Sequence, residues 1–456
     1  MSPVRTEIRA LLALAVPAAA TQLSTMLMGF VDTVLLGHVG VHELAAASIA
    51  NVWIHGTLFF AMGVIIGADP LIAQAHGRGD GKAAGLVAQR GLVIALALSV
   101  PVGLCWYGTE SVLLAIGQEP ELARDAQVFA RIQIPSIPFF LAYSTLRQYL
   151  QCRGIVRPAM WVILFANAVN AFGAWVLIFG HFGFPALGLF GAGIATSVTR
   201  GFCFFGLAWL MRYLALTEGA WPRPSRAIFD AADFRRILGL GFPVAIHFSL
   251  EIWAFSGAAL MAGWLGAVPL AAHTIALNLA SLSFMLPLGI SQGAVTRVGN
   301  LLGAHRPRDA ERAAWVAIAC GAAVMSLSGA AFLTLRHALP QLYTADLAVI
   351  AVAASILPIA AAFQVFDGTQ VVCIGVLRGM GRTRPAAWFN FLGYWMLGLP
   401  IGGWLAFRMH WGLHGIWWGL CFGLFVVASS LVLFVRARGP ARLAVAEPAA
   451  LRSTSA

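Results

Sequence analysis

The amino-acid sequence predicts an all-α integral membrane protein of about twelve transmembrane helices in two six-helix lobes. Composition, recurring apolar stretches and an internal repeat support this prediction. Of 456 residues, 60% are hydrophobic and only 10% are charged, which lies far outside the range of soluble domains. The net charge of +11 does not indicate a nucleic-acid partner, because the basic residues are scattered between apolar runs.

The apolar stretches are the first elements that the sequence defines. A helix needs roughly 20 mostly apolar residues to cross a hydrocarbon core of about 30 Å. Such stretches lie at residues 10–36, 45–70, 86–107, 126–150, 158–180, 187–211, 237–264, 271–296, 313–336, 349–374, 385–407 and 412–435. We expect each to form one transmembrane helix.

The basic residues predict how these helices are oriented. With the N-terminus placed inside, about 24 of the 29 Lys and Arg fall in cytoplasmic segments. This bias recurs in every second loop, so both termini are expected in the cytoplasm. Because no eukaryotic targeting signal is recognised, the expected location is the inner membrane of a bacterium.

An internal repeat divides the chain in two. Pro17 matches Pro243 and Gly77 matches Gly303, and the offset in both pairs is 226 (243 − 17 and 303 − 77). An even number of helices in each half predicts a parallel repeat of the kind found in transporters. The expected parts are an N-terminal lobe (residues 1–212), a cytoplasmic linker (213–236), a C-terminal lobe (237–438) and a disordered tail (439–456).

Two acidic residues lie deep inside apolar stretches of the second half. Glu251 follows Arg236 by 15 residues, about 22 Å along a helix, and Asp367 precedes Arg378 by 11 residues, about 16 Å. Each ionised acid in a bilayer core costs about 2.5–3.5 kcal/mol, so such acids usually mark an ion or proton pathway. Their similar depth predicts that they share one cation, as in a cation-driven transporter.

The sequence leaves the cation open. Na⁺ prefers oxygen ligands, which carboxylates supply, whereas a buried carboxyl group can also load and release H⁺. No cofactor is expected, and no metal beyond possible Na⁺ at Glu251 and Asp367. The six cysteines are widely spaced and suggest neither a disulfide framework nor a metal site.

Other polar residues within the apolar stretches have two interpretations. They can line a substrate cavity, or they can hydrogen-bond between helices, which is the commoner use in membranes; these residues are Asn278, Gln292, Gln364 and Gln370. His247, one turn before Glu251, can modulate that acid or be a satisfied core histidine. Arg200 is expected to snorkel to the inner interface.

Four segments resemble one known family over nearly the whole chain. These are "VDTVLLGHVGVHELAA" from Val31, "AQAHGRGD" from Ala73, "GNLLGAHR" from Gly299 and "VLRGMGRTRP" from Val376. The chain resembles the multidrug and toxic compound extrusion (MATE) transporters. In having both Glu251 and Asp367, the chain further resembles the NorM-like branch of this family.

The resemblance implies an antiporter that works as a monomer by alternating access of two lobes. Such a transporter expels small, mostly cationic molecules and other drugs in exchange for inward Na⁺ or H⁺.

The resemblance also implies site residues. Asp32 matches the acid of the family's N-lobe cation site, where the family pairs it with asparagines of helix 5. Asn170 matches one of these, and the residue one turn later is Ala174. The family often places a tyrosine one turn before the helix 10 acid, and here that residue is Phe363. The implied site for coupling ion and substrate comprises Glu251, Asp367, Asp32 and Asn170.

The sequence disfavours three other functional classes. A flippase or exporter of lipid-linked or polar metabolites, from the same superfamily, would need a cavity lined by several basic residues, whereas the mid-membrane charges here are acidic and the arginines are expected at loops. An enzyme is not expected, because the sequence contains neither HExxH nor a GxSxG with membrane His and Asp partners. A passive channel is disfavoured because no filter repeat is present.

Overall fold

The computed structural model describes residues 3–442, and this part of the chain is helical, without β-strands. The part of the predicted tail after residue 442 lies outside the described residues. In the first half the helices are α1 (Pro3–Gly37), α2 (Val41–Ile66), α3 (Asp69–Gly77), α4 (Gly81–Tyr107), α5 (Thr109–Ala115), α6 (Pro120–Gln133), α7 (Ile137–Cys152), α8 (Arg157–Phe179) and α9 (Gly188–Tyr213).

The second half has a similar order of elements. Its helices are α10 (Ala231–Trp264), α11 (Ala267–Gly303), α12 (Pro307–Thr334), α13 (Ala338–Gln341), α14 (Leu347–Gly379), α15 (Arg384–Asn390), α16 (Leu399–Gly403) and α17 (Leu413–Arg438). Two π-helical segments, Phe391–Gly398 and Trp404–Arg408, flank α16.

Within residues 3–442, ten helices are long and apolar enough to cross a membrane. The other two predicted helices exist but are interrupted. One is split into α6 and α7 by a 3₁₀ turn at Ile134–Ser136, where Pro135 and Pro138 lack the amide that an α-helix requires. The other combines α15, α16 and the π segments, whose wider turns replace the regular hydrogen-bond pattern. The prediction of twelve transmembrane helices is therefore confirmed.

The chain forms two compact units. The C-terminal unit comprises the described parts of residues 1–19, 69–79 and 246–456, and the N-terminal unit comprises residues 20–68 and 80–245. Helix α1 thus contributes its first part to the C-terminal unit, and α10 contributes its first part to the N-terminal unit. The lobe limits predicted from the repeat remain a prediction.

Glycines set how closely the helices pack within each unit. In the N-terminal unit, a Cβ on Gly63 of α2 would overlap the backbone of Ala245 on α10. In the C-terminal unit, a Cβ on Gly289 of α11 would overlap Ala19 on α1. Both contacts follow the repeat, since 289 − 63 and 245 − 19 are each 226. The two halves therefore use the same close helix contact.

A second pair of repeat-related glycines joins α3 to α11 within the C-terminal unit. A Cβ on Gly77 would overlap the Asn300 carbonyl group, and one on Gly303 would overlap the Gln74 carbonyl group. Positions 74 and 300 are also related by the repeat (300 − 74 = 226). The two contacts are therefore equivalent: the glycine of each half packs against the same repeat position of the other half. The contact holds the short helix α3 firmly on α11.

The segment after α9 is fastened to α4 of the N-terminal unit. Gln89 donates to the Pro222 carbonyl oxygen at 2.7 Å, and Arg90 donates to the Ala227 carbonyl oxygen at 2.7 Å. Arg90 also forms an ion pair with Asp233 at 2.7 Å. Much of the predicted linker is thus packed against α4, and its last residues lie in α10, which begins at Ala231.

Candidate functional site

The two acids of the C-terminal unit lie in one polar cluster. Glu251 is on α10, whereas Asp367 and Gln370 lie on the same face of α14. Gln370 Nε2 donates to Glu251 Oε1 at 3.1 Å. Asp367 is 5% exposed and lies close enough to Glu251 for the two charges to interact. The structure therefore brings both predicted acids together, with Gln370 beside them.

The Asp367 carboxylate has an unsatisfied oxygen in this cluster. Its Oδ1 is buried and has no hydrogen-bond partner within the described part of the chain. A buried polar atom without a partner is costly, unless a bound species satisfies it. This oxygen is a candidate ligand for a cation or a site for a proton.

His247 also belongs to the cluster. Its Nε2 lies 3.5 Å from Glu251 Oε2, one helical turn away along α10. The imidazole is 3% exposed, and its Nδ1 has no hydrogen-bond partner among residues 3–442. The geometry supports contact between this histidine and the acid, and its influence on protonation stays a prediction.

Tyr394 is a cluster member that the sequence analysis missed. It lies in the first π segment, is fully buried, and its hydroxyl is hydrogen-bonded to Glu251. Gln370 Nε2 also points at the hydroxyl oxygen, at 3.4 Å. A hydroxyl is thus present although Phe363 occupies the position where the family has a tyrosine. One signal was available, because Tyr394 is the only tyrosine in the apolar stretches of the second half.

The remaining predicted polar residues are Gln364, Gln292 and Asn278. The Gln364 side chain is fully buried and accepts a hydrogen bond from Ser283 Oγ at 2.8 Å, as expected for an interhelical contact. Gln292 is partly buried and Asn278 is exposed. Within residues 3–442, none of these three side chains hydrogen-bonds Glu251 or Asp367. Their predicted position along a substrate cavity stays a prediction.

The predicted acid of the N-terminal unit has a different surrounding. Asn170 Nδ2 on α8 donates to Asp32 Oδ1 at 2.6 Å, and Thr196 Oγ1 on α9 donates to Asp32 Oδ2 at 3.4 Å. Thr199 Oγ1 then donates to Asn170 Oδ1 at 3.1 Å. Both carboxylate oxygens therefore have a donor. Asp32 and Asn170 were predicted from the sequence, whereas the two threonines were not.

Arg200 lies one turn after Thr196 on α9. The residue is twelve positions after Gly188 and thirteen before Tyr213, so it lies near the middle of α9. One guanidinium nitrogen donates to Ser136 Oγ at 3.1 Å. The side chain is held inside the unit by this bond and by the rings of Trp106 and Phe140. Its predicted snorkelling to the inner interface stays a prediction.

The composition of the site bears on which cations it suits. Residues 3–442 contain no group of three or more His, Cys, Asp or Glu that could hold a metal ion. The C-terminal cluster offers two carboxylates together with amide and hydroxyl oxygens. Such a set suits Na⁺ or a proton better than a transition metal.

Comparison with known families gives a match to each half of the chain. The family model described as MatE matches residues 17–176 and 243–404. The two matched segments begin 226 residues apart (243 − 17), which is the offset of the internal repeat. Together they cover well over half of the sequence.

Individual relatives match nearly end to end. The chain is 37% identical over 450 residues to a probable multidrug resistance protein NorM of Mesorhizobium japonicum, covering 94% of this chain and 93% of that protein. It is 34% identical over 451 residues to the multidrug resistance protein PmpM of Pseudomonas aeruginosa, covering 96% and 93%. Its fold matches the crystal structure of the eukaryotic MATE transporter AtDTX14 with a TM-score of 0.88 and 25% identity, covering 95% of this chain and 96% of that one.

Proposed function

The chain belongs to the MatE family of multidrug and toxic compound extrusion transporters, and on that premise we propose that it is a multidrug efflux antiporter. It exports organic cations and other toxic compounds in exchange for inward H⁺ or Na⁺. The protein is a multi-pass membrane transporter and not an enzyme. Its proposed location is the bacterial inner membrane with both termini in the cytoplasm, where it acts as a monomer.

The observation that supports ion coupling most directly is the C-terminal cluster. Two carboxylates, an amide and a hydroxyl converge there, and one oxygen of Asp367 has no partner in the described residues. A pair of negative charges inside a membrane needs a positive species, which Na⁺ or H⁺ supplies. The same pair attracts a cationic substrate, so the ion and the substrate compete for one charge.

This competition provides a mechanism for exchange. An ion or substrate shifts an equilibrium between inward-open and outward-open states only by its differential affinity for the two states. If ion and substrate bind the Glu251–Asp367 pair in turn, each releases the other on the appropriate side. Alternating access then couples drug export to ion entry without a further cofactor.

The coupling can be tested in cells that lack their own multidrug pumps. Removing either charge with Glu251→Gln or Asp367→Asn should lower ethidium efflux at least about tenfold at matched expression. Asp346→Asn is the matched control, because Asp346 caps the same helix α14 at its exposed start and asparagine also caps helices well. Undiminished efflux in both site variants would rule out the pair as the coupling site.

The identity of the ion needs purified protein. Proteoliposomes with an imposed Na⁺ gradient, and separately with an imposed pH gradient, should show drug uptake with only one of them if a single ion is coupled. If neither the Na⁺ gradient nor the pH gradient drives drug uptake, the antiport proposal is contradicted. His247 beside Glu251 is compatible with proton exchange, whereas the oxygen-rich cluster is compatible with Na⁺.

A further inference from the structure

Arg200 introduces a positive charge into the core of the N-terminal unit, and the exchange mechanism above does not use it. A charged side chain in the middle of a membrane helix is costly and usually functional. An arginine is also a specialised group, because its planar fork of donors matches the two oxygens of a carboxylate.

The guanidinium is held in place by groups that leave most of its donors free. Its carbon lies 5.7 Å from the centre of the Trp106 ring and 5.3 Å from the centre of the Phe140 ring. Trp106 is fully buried and is itself fixed by a bond from its Nε1 to Thr57 Oγ1 at 2.8 Å. Ser136 accepts one bond from Arg200 and donates to the Gln133 carbonyl oxygen at 2.7 Å. The charge is therefore preorganised.

Arg200 lacks a direct anionic partner among residues 3–442. No carboxylate lies within ion-pair distance of it, and its one hydrogen bond goes to Ser136. Asp32 is close enough to interact electrostatically, but its two oxygens already accept from Asn170 and Thr196. Most of the five guanidinium N–H donors are thus unused, and none of the nitrogens is both buried and unpartnered. The side chain as a whole is partly buried and not fully enclosed.

We propose that Arg200 is a specificity-determining residue that binds the carboxylate of zwitterionic substrates. Asp32 and Arg200 together leave the N-terminal unit without net charge at this point, whereas the C-terminal pair carries two acids. A purely cationic substrate needs only the acids. A substrate that also carries a carboxylate needs a positive partner, and Arg200 offers a preorganised fork. This inference rests on the proposed export function.

A matched pair of dyes tests the inference. One is a xanthene dye with a free carboxylate, and the other is its methyl ester, which keeps the cationic ring system but loses the negative charge. Arg200→Gln should raise the KM for the carboxylate dye at least about tenfold, because a charge-assisted bidentate bond is lost. The KM for the ester should change less than about twofold. Arg200→Lys should lie between, because lysine keeps the charge but not the fork.

Arg131→Gln is the matched control. Arg131 lies in the same unit, 4.0 Å above the Tyr107 ring, and is exposed. The Arg131→Gln substitution should leave the transport of both dyes unchanged. Fluorescence anisotropy of each dye on detergent-purified protein gives a second, transport-independent measure of binding, and size-exclusion profiles show whether each variant is folded.

The outcomes separate the two proposals. Suppose that the wild-type protein exports the ester, but Arg200→Gln raises the KM for both dyes equally or for neither dye. The assignment of Arg200 is then overturned while the efflux proposal stands. Failure of the wild-type protein to export the carboxylate dye while it exports the ester also overturns the assignment. If the wild-type protein exports neither dye, the proposed efflux function itself fails.

Discussion

The two repeat-related units hold their buried acids in opposite ways. In the C-terminal unit, Glu251 and Asp367 lie together, and one oxygen of Asp367 has no partner in the described chain. In the N-terminal unit, Asp32 has a donor for each oxygen and lies near Arg200. The first arrangement concentrates negative charge, and the second balances it. A duplicated scaffold can therefore carry one site suited to a cation and one suited to a group of mixed charge.

The sharpest test of this difference removes one acid from each unit. Asp367→Asn should reduce gradient-driven uptake in proteoliposomes at least about tenfold, because it removes one of two charges that attract the ion. Asp32→Asn should leave at least about a third of the uptake of a cationic dye, because Asp32 is already satisfied by Asn170 and Thr196. Uptake is measured with the same imposed ion gradient for both variants. Equal losses would break the distinction between the units.

A second test asks whether the scaffold under the two sites is the same. Gly63→Ala in the N-terminal unit and Gly289→Ala in the C-terminal unit should each destabilise the protein by about 1–3 kcal/mol, because a methyl group overlaps a packed helix. Gly239→Ala is the control, since a Cβ there has no neighbour within 4 Å. Thermal unfolding in detergent measures the effect. If only one of the two substitutions greatly lowers the stability, the two units are packed differently at this contact.

The smallest expected effect concerns Tyr394, which contributes only a hydroxyl to the C-terminal cluster. Tyr394→Phe should weaken the affinity for the coupling ion about two- to tenfold, the usual range for one lost hydrogen bond. Tyr343→Phe is the control, because Tyr343 lies in the loop before α14 and outside the cluster. Titration of transport against ion concentration gives the affinity. An unchanged affinity would exclude the hydroxyl as a ligand or a support for Glu251.

Much of the site was predictable because its acids are conspicuous in sequence. Glu251 and Asp367 stand in apolar stretches where an ionised group is costly, and their distances from Arg236 and Arg378 give similar depths. Gln370 was named, but its bond to Glu251 was not predicted. The sequence did not predict the roles of Tyr394 and Thr196, or the contacts of Arg200 with aromatic rings. Each of these contacts joins helices that are far apart along the chain.

The sequence by itself determined the class of the protein, its twelve transmembrane helices, its duplication and the identity of its buried acids. Hydropathy and charge act locally along the chain, and the repeat is visible as a constant offset. Only the tertiary structure decided which polar groups meet, because lipid is as apolar as a helix bundle and the sequence pattern cannot distinguish a face that packs inward from one that faces lipid. That is why the contacts of Arg200 with Trp106 and Ser136 were not predicted.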